Sequence, residues 1–199
     1  MMAKKHLDLG CGLKPRNPYG AELTFGCDIR DIDAGVRDIG FEYKKVNLVI
    51  EPIPYPDNYF DSVSAYDFFE HVPRQMMLPS GAISNPFIHL MDEIHRVLVP
   101  GGRLLALTPA YPHPAAFSDP THVNFITEDT HRYFTGESPT GAMYGFNGAF
   151  DVLQVRWEAS ANAYNLQQPA WRKALRRTHR QLATGGLSHL MWEFVARKG

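Results

Sequence analysis

The chain has 199 residues, 44% of them hydrophobic and 21% charged, with a formal net charge of −1. That length and mix suit one globular domain with a sizeable core, and the near-neutral balance excludes a global field that would recruit nucleic acid or an anionic membrane. No apolar stretch has the length of a signal or a bilayer span, so a soluble, cytoplasmic protein is expected.

The first apolar run, Lys5 to Leu9, leads into a turn with two glycines one residue apart, His6-Leu7-Asp8-Leu9-Gly10-Cys11-Gly12. Lacking a Cβ, Gly10 and Gly12 let the backbone bend sharply and approach a ligand closely. The edge beyond the carboxyl end of such a strand is where open α/β sheets bind ligands. A dinucleotide fingerprint needs a third glycine three residues on, opening a helix. Here that position is Pro15, and Leu13 to Gly20 reads as loop. A second strand, Leu23 to Asp28, ends in a carboxylate placed to accept hydrogen bonds from ribose hydroxyls. Cys11 and Cys27 make no disulfide framework and read as small buried thiols.

Asp31 to Gly40 is polar and reads as loop or one helical turn, and Tyr43 to Leu48 as a short third strand. Three prolines between Glu51 and Asn58 exclude regular structure there. Phe60 to Tyr66 is a fourth, central strand, Asp67 to Leu78 has helical composition crossed by Pro73, and Pro79 to Ser84 is a loop. Asn85 and Pro86 open a helix that places Phe87, Leu90, Met91, Ile94, Val97 and Leu98 on one face. Pro100-Gly101-Gly102 ends it, and Arg103 to Thr108 is a fifth strand. The segment Pro109 to Phe125 is long, proline-rich and aromatic, as binding loops and lids often are. Thr127 to Phe134 reads as a helix, Ala149 to Trp157 and His189 to Ala196 as the last strands, and Tyr164 to Thr184 as a helical insert. Within the insert Arg172, Lys173, Arg176, Arg177 and Arg180 form one basic face, solvated or serving to dock an acidic partner. Strands alternating with crossovers argue for a parallel sheet with helices on both faces.

The succession Leu7-Asp8-Leu9-Gly10-Cys11-Gly12, Asp28, Pro54 to Asp61, Phe69-Glu70-His71-Val72 and Val97-Leu98-Val99-Pro100-Gly101-Gly102 resembles the class I S-adenosylmethionine-dependent methyltransferases of the small-molecule branch, from about Lys5 to Leu107. The resemblance implies an α/β, Rossmann-like three-layer sandwich on a mostly parallel seven-stranded sheet with an antiparallel edge hairpin. It implies one domain over 1–199, with a cofactor half to about 108, an acceptor loop over 109–125 and the insert over 164–184. The cofactor would be S-adenosylmethionine and the reaction methyl transfer to a small-molecule acceptor, to oxygen rather than nitrogen. Gly10, Cys11 and Gly12 would contact its amino-acid tail, Asp28 its ribose and Ile29 its adenine face, with Asp8 steadying the turn. Family members carry an aspartate at the adenine edge; here Asn47, beside Leu48, is the match, and Glu51 the alternative. Asp67 and Phe68 would flank the sulfonium.

For the acceptor, the polar groups on offer are Glu70, His71, Tyr111, His113, Asp119 and His122. A hydroxyl acceptor loses its proton as it attacks, so a neutral histidine is the expected base, His122 ahead of His71. Plainer roles are a cap for Glu70, packing for His71, an Asx-turn for Asp119 and a loop hydrogen bond for His122. No two of His71, His113, Asp119 and His122 have zinc-site spacing, so no metal is expected, although some methyltransferases hold catecholic oxygens on a divalent metal. Nucleic acid is not an expected partner, nor is membrane contact. The motif-poor loop after the first strand would also fit a non-catalytic S-adenosylmethionine-binding module. A nicotinamide-dependent oxidoreductase is the third reading, and the absent third glycine counts against it.

Overall fold

The structure, a computed structural model, describes residues 3–31, 40–164, 168–183 and 186–199. Its main sheet has seven strands: β1 (Lys5–Leu9), β2 (Leu23–Asp28), β3 (Glu42–Lys45), β4 (Phe60–Tyr66), β5 (Leu98–Pro109), β6 (Phe150–Glu158) and β7 (His189–Ala196). They lie in the order β3-β2-β1-β4-β5-β7-β6. The first five pair in parallel, and β7 runs antiparallel to both β5 and β6. The sheet is therefore mostly parallel with an antiparallel pair at one edge, the Rossmann-like α/β arrangement expected.

Alternation along the strands divides the sheet into two unlike faces. Leu7, Leu9, Val63, Leu104, Trp192 and Phe194 enter the main core. Helix α1 (Pro86–Val97) closes over that core and buries Phe87, Leu90, Met91, Ile94 and Val97, as their three- and four-residue spacing dictates. The other face is polar in β1 and β4, where His6 bonds the hydroxyls of Ser62 (2.7 Å) and Ser64 (2.9 Å). Beyond it lies a small cluster of Tyr66, Leu105, Leu107 and Met191, against which Tyr19 of the loop after β1 packs.

Four local expectations change. The third strand ends at Lys45 rather than Leu48, because the Ile50 and Glu51 N–H groups turn back onto the Asn47 carbonyl. The expected helix over 67–78 is replaced by a single tight turn, Phe69–His71, then a two-residue ladder pairing Met76–Met77 with Ile83–Ser84. Pro73 has no N–H to propagate a helix, and its carbonyl accepts from Phe87 instead. The fifth strand starts at Leu98, directly after α1, and the glycine pair forms an irregularity within it, with Gly101 at φ +75°. Of the helix expected over 127–134, only a tight turn at Thr130–Tyr133 forms. The insert contains α2 (Ala170–Ala183) after a short helix, Ser160–Ala163. The loop expected over 31–40 falls mostly outside the described residues, as do 165–167 and 184–185 of the insert.

The proline-rich stretch 51–58 is irregular yet well held. Arg96 of α1 donates to the carbonyls of Ile53 (2.9 Å) and Tyr55 (2.9 Å), and Glu93 accepts from the Ile53 N–H at 2.8 Å. No described helix is long and apolar enough to cross a membrane.

Candidate active site

At the carboxyl edge of the sheet, β1 runs into a turn with Gly10 at φ +60° and Gly12 at φ +61°. A Cβ on Gly10 would come within 2.6 Å of the Phe68 ring, so only glycine serves there on both counts. The Cys11 N–H donates to the Cys27 carbonyl (3.2 Å) and the Gly12 N–H to Asp28 Oδ2 (2.8 Å), tying the tips of β1 and β2 together. Asp28 also accepts from the Arg30 N–H (3.0 Å) and from the Arg30 guanidinium at 3.0 and 3.1 Å. Burial pushes its carboxyl up, but the Arg30 bonds and the Gly12 N–H outweigh this and hold it below the usual carboxylate value.

Around this turn lies a cavity of about 400 Å³, within the range of roughly 300–1,000 Å³ usual for small-molecule sites. Gly10, Asp28, Ile29, Asn47, Leu48, Asp67, Phe68 and His71 all line it. Ile29 is 58% exposed there, an apolar side chain without a cover. Asp8 and Cys11 lie beneath the lining, both buried. Asp8 accepts from the Ser64 hydroxyl (2.5 Å) and the Arg16 N–H (2.8 Å), so it steadies the loop after the turn. Burial raises its carboxyl to about 6, while burial lowers His6 next to it to about 4. The Asn47 side-chain oxygen accepts from the Val49 N–H (3.2 Å), and Glu51 turns onto the Asn47 N–H (2.9 Å).

Four residues around this edge carry no motif and were missed by sequence reading. Arg30 caps Asp28. The Arg16 guanidinium stacks on the rings of Tyr66 (4.8 Å) and Tyr164 (4.9 Å). The Tyr164 hydroxyl donates to Asp67, and His189 Nε2 lies 3.2 Å from the same carboxylate. Arg30 and Arg16 were within reach as cations a few residues from the glycine turn or Asp28. Tyr164 depends on how the insert folds back, and His189 on the antiparallel pairing of β7 with β5.

After β4, Glu70 is buried at 1% exposure, with neither carboxyl oxygen hydrogen-bonded among the described residues. Burial raises it to about 8 against the opposing pull of its own backbone N–H, with Asp67 and Asp119 adding smaller upward pushes. His122 brings its Nε2 to 4.0 Å from Glu70 Oε1, and its ring lies 5.0 Å from that of His71. The loop after β5 is stitched to this turn, since the Glu70 carbonyl accepts from the N–H groups of Val123 (2.8 Å) and Asn124 (3.0 Å). Asp119 accepts from the Thr121 hydroxyl (2.6 Å) and N–H (2.8 Å), the Asx-turn named as its plainer role, and these bonds hold its carboxyl below the usual value. Tyr111 and His113 line a second cavity of about 930 Å³, together with Trp157 and Arg177. The structure thus groups Glu70, His71 and His122 and places Tyr111 and His113 on another cavity.

A family model described as a methyltransferase domain matches residues 7–106. No match is found among curated proteins. Among solved structures, the chain is similar to the [4+2]-cyclase SpnF at 17% identity, covering 99% of this chain and 76% of that one, with a TM-score of 0.58. It is similar to a SAM-dependent methyltransferase from Archaeoglobus fulgidus at 15% identity, covering 98% and 86%, with a TM-score of 0.56. It is also similar to the complex of the Haloferax volcanii Trm112 methyltransferase activator with a methyltransferase, at 17% identity, covering 98% and 84%, with a TM-score of 0.58. At these identities the structures speak for the fold, while the family match covers half of the chain. The chain therefore belongs to the methyltransferase domain family, as a class I enzyme whose cofactor is S-adenosylmethionine.

Proposed function

We propose that this enzyme transfers the methyl group to an oxygen of a small-molecule acceptor. The observation that carries the reading is the cavity at the glycine turn, which has Asp28 on one side and, through His71, opens toward the Glu70–His71–His122 group. When bound, S-adenosylmethionine supplies a methyl group activated by its sulfonium. The residues present fit that cofactor: a backbone free of Cβ atoms at Gly10 and Gly12, a carboxylate at the tip of β2, and uncovered apolar surface at Ile29. In this reading the turn at Gly10, Cys11 and Gly12 holds the amino-acid tail, Asp28 the ribose hydroxyls, Ile29 and Leu48 the adenine faces, and Asn47 the adenine edge. Asp67 and Phe68 border the sulfonium. Asp8 acts from below, by holding the loop that follows the turn.

On the acceptor side His122 is the base. Its Nδ1 faces the Ala116 carbonyl at 3.2 Å, which only accepts, so Nε2 carries the lone pair and points toward the cavity group. Glu70 and His71 frame the reacting oxygen. Tyr111 and His113 hold the body of the acceptor in the larger cavity. Asp119 works through Thr121, whose hydroxyl lies 3.0 Å from His71 Nδ1. Alignment of donor and acceptor at this edge supplies most of the rate, and the base adds a smaller factor.

The test is titration with S-adenosylhomocysteine by calorimetry, followed by transfer of labelled methyl to a panel of small molecules that carry hydroxyls, amines or both. Gly12→Val is expected to abolish binding. His122→Ala is expected to keep binding and lower turnover by about 100-fold or more. Unchanged turnover in His122→Ala removes that residue from the reaction, and amine-only transfer overturns the oxygen acceptor.

A further inference from the structure

We infer that Glu70, His71 and His122 hold a divalent first-row transition cation at the acceptor edge of the donor cavity. One ligand atom from each lies within 4.8 Å of the others. They come from two segments, the turn after β4 and the loop after β5, so the grouping is made by the fold rather than by local chain geometry.

Glu70 is 1% exposed, and among the described residues neither carboxyl oxygen has a hydrogen-bond partner. A buried charge or polar group left in that state is costly unless something pairs with it. The histidines cannot supply a hydrogen in their neutral form. His122 Nδ1 lies 3.2 Å from the Ala116 carbonyl and His71 Nδ1 3.3 Å from the Thr121 carbonyl, and carbonyls only accept. The Thr121 hydroxyl spends its own hydrogen on Asp119 at 2.6 Å, so it too accepts from His71 Nδ1 at 3.0 Å. Each Nδ1 therefore carries the proton, and each Nε2 keeps a lone pair. Two imidazole lone pairs and a carboxyl group without a hydrogen-bond partner among the described residues converge within 4.8 Å. Carbonyls fixing the tautomer from behind are the usual outer support of metal-bound histidines. The bonds from Val123 and Asn124 to the Glu70 carbonyl hold both segments in place.

Two imidazoles and one carboxylate favour Mn²⁺, Fe²⁺, Co²⁺ or Zn²⁺ over Mg²⁺ or Ca²⁺, and three protein ligands leave positions open for an acceptor oxygen. His71 also lines the donor cavity, so the cation would face the reacting edge. The inference rests on the reading that the acceptor binds here and revises the role of His122: with its Nε2 on the cation that lone pair no longer takes the acceptor's proton, and the cation would instead acidify the bound hydroxyl, whose proton leaves to solvent water as the oxygen attacks the methyl.

The experiment strips the full-length protein with a chelator, titrates it with Co²⁺ and reads the visible ligand-field bands, with Zn²⁺ as competitor. One Co²⁺ per chain is expected. The bands should be lost, with affinity at least 100-fold weaker, in Glu70→Gln and His122→Ala, and unchanged in His89→Ala, which alters an exposed histidine of α1. Thr121→Val, which removes an outer partner of His71, should weaken binding about 10- to 100-fold. Far-UV circular dichroism and S-adenosylhomocysteine binding show that each variant is folded. No binding of Co²⁺, Zn²⁺ or Mn²⁺ at millimolar concentration, or equal binding in Glu70→Gln and His122→Ala, overturns the site. Wild type that binds S-adenosylhomocysteine but no cation overturns this inference alone. Cation binding without S-adenosylhomocysteine binding supports it and defeats the proposed function.

Discussion

Arg30 and Asp28 show how two neighbouring residues can compete for one task. The guanidinium occupies both oxygens of the carboxylate that ribose hydroxyls would need. Its side chain is 62% exposed, so the ion pair is worth little and the arm can swing into solvent. Asp28→Ala is therefore expected to abolish S-adenosylhomocysteine binding, whereas Arg30→Ala should keep it or strengthen it by about two- to fivefold, the worth of an exposed pair. Calorimetry on the two variants decides, and equal loss in both would mean that Arg30 belongs to the binding surface. Because Asp28 is held below its usual value, it is ionised at neutral pH, and affinity should not vary with pH there as far as this group is concerned. Asp28 was legible in the sequence because the apolar run before it sets the end of β2. Arg30 was not, since its role depends on where a flexible side chain settles.

Between β1 and β4 the register sets His6 opposite Ser62 and Asp8 opposite Ser64. Both titratable groups bond Ser64, and their pKa values move in opposite directions for one reason, burial. His6, lowered from 6.5 to about 4, is neutral in the fold, so stability gained from it rises as pH goes from about 4 to 6.5. Asp8, raised from 3.8 to about 6, is protonated in the fold below that value, so its contribution falls over nearly the same interval. The two slopes offset each other in the native protein. Relative to the wild type, Asp8→Asn removes the falling contribution, so its stability difference should climb by about 2–3 kcal/mol at most between pH 4 and 7. His6→Gln should show the reverse slope. Urea unfolding at four pH values reads both, and flat profiles in both variants would deny the coupling. The strands were legible because apolar runs bounded by turn residues are local signals. The stretch 67–78 was not: its composition favours a helix, but Pro73 and the bonds from the loop after β5 select a tight turn.

Across the whole molecule the two faces of the sheet do different work. One carries the aromatic core, where Trp192 is 2% exposed, stacks on Phe194 at 5.3 Å, and leaves its indole N–H without a partner among the described residues. Trp192→Ala should cost about 3–5 kcal/mol, and Trp192→Phe well under half of that, because losing an unpartnered buried donor offsets part of the lost volume. Denaturant unfolding checks both, and equal costs would show that volume alone counts. The other face carries the buried polar pairs and the loop from the glycine turn, and at its edge the donor cavity opens. What the sequence by itself determined is the frame: the seven strands, α1, the glycine turn and the acidic tip of β2. Hydrophobic period and backbone freedom act within a few residues, and those signals survive without knowledge of the fold. Only the tertiary structure decided that Glu70 and His71 would meet His122, that Arg30 would cover Asp28, and that Tyr164 and His189 would reach Asp67. Such meetings depend on crossovers and loops returning to one sheet edge, and no spacing along the chain encodes where two distant segments cross.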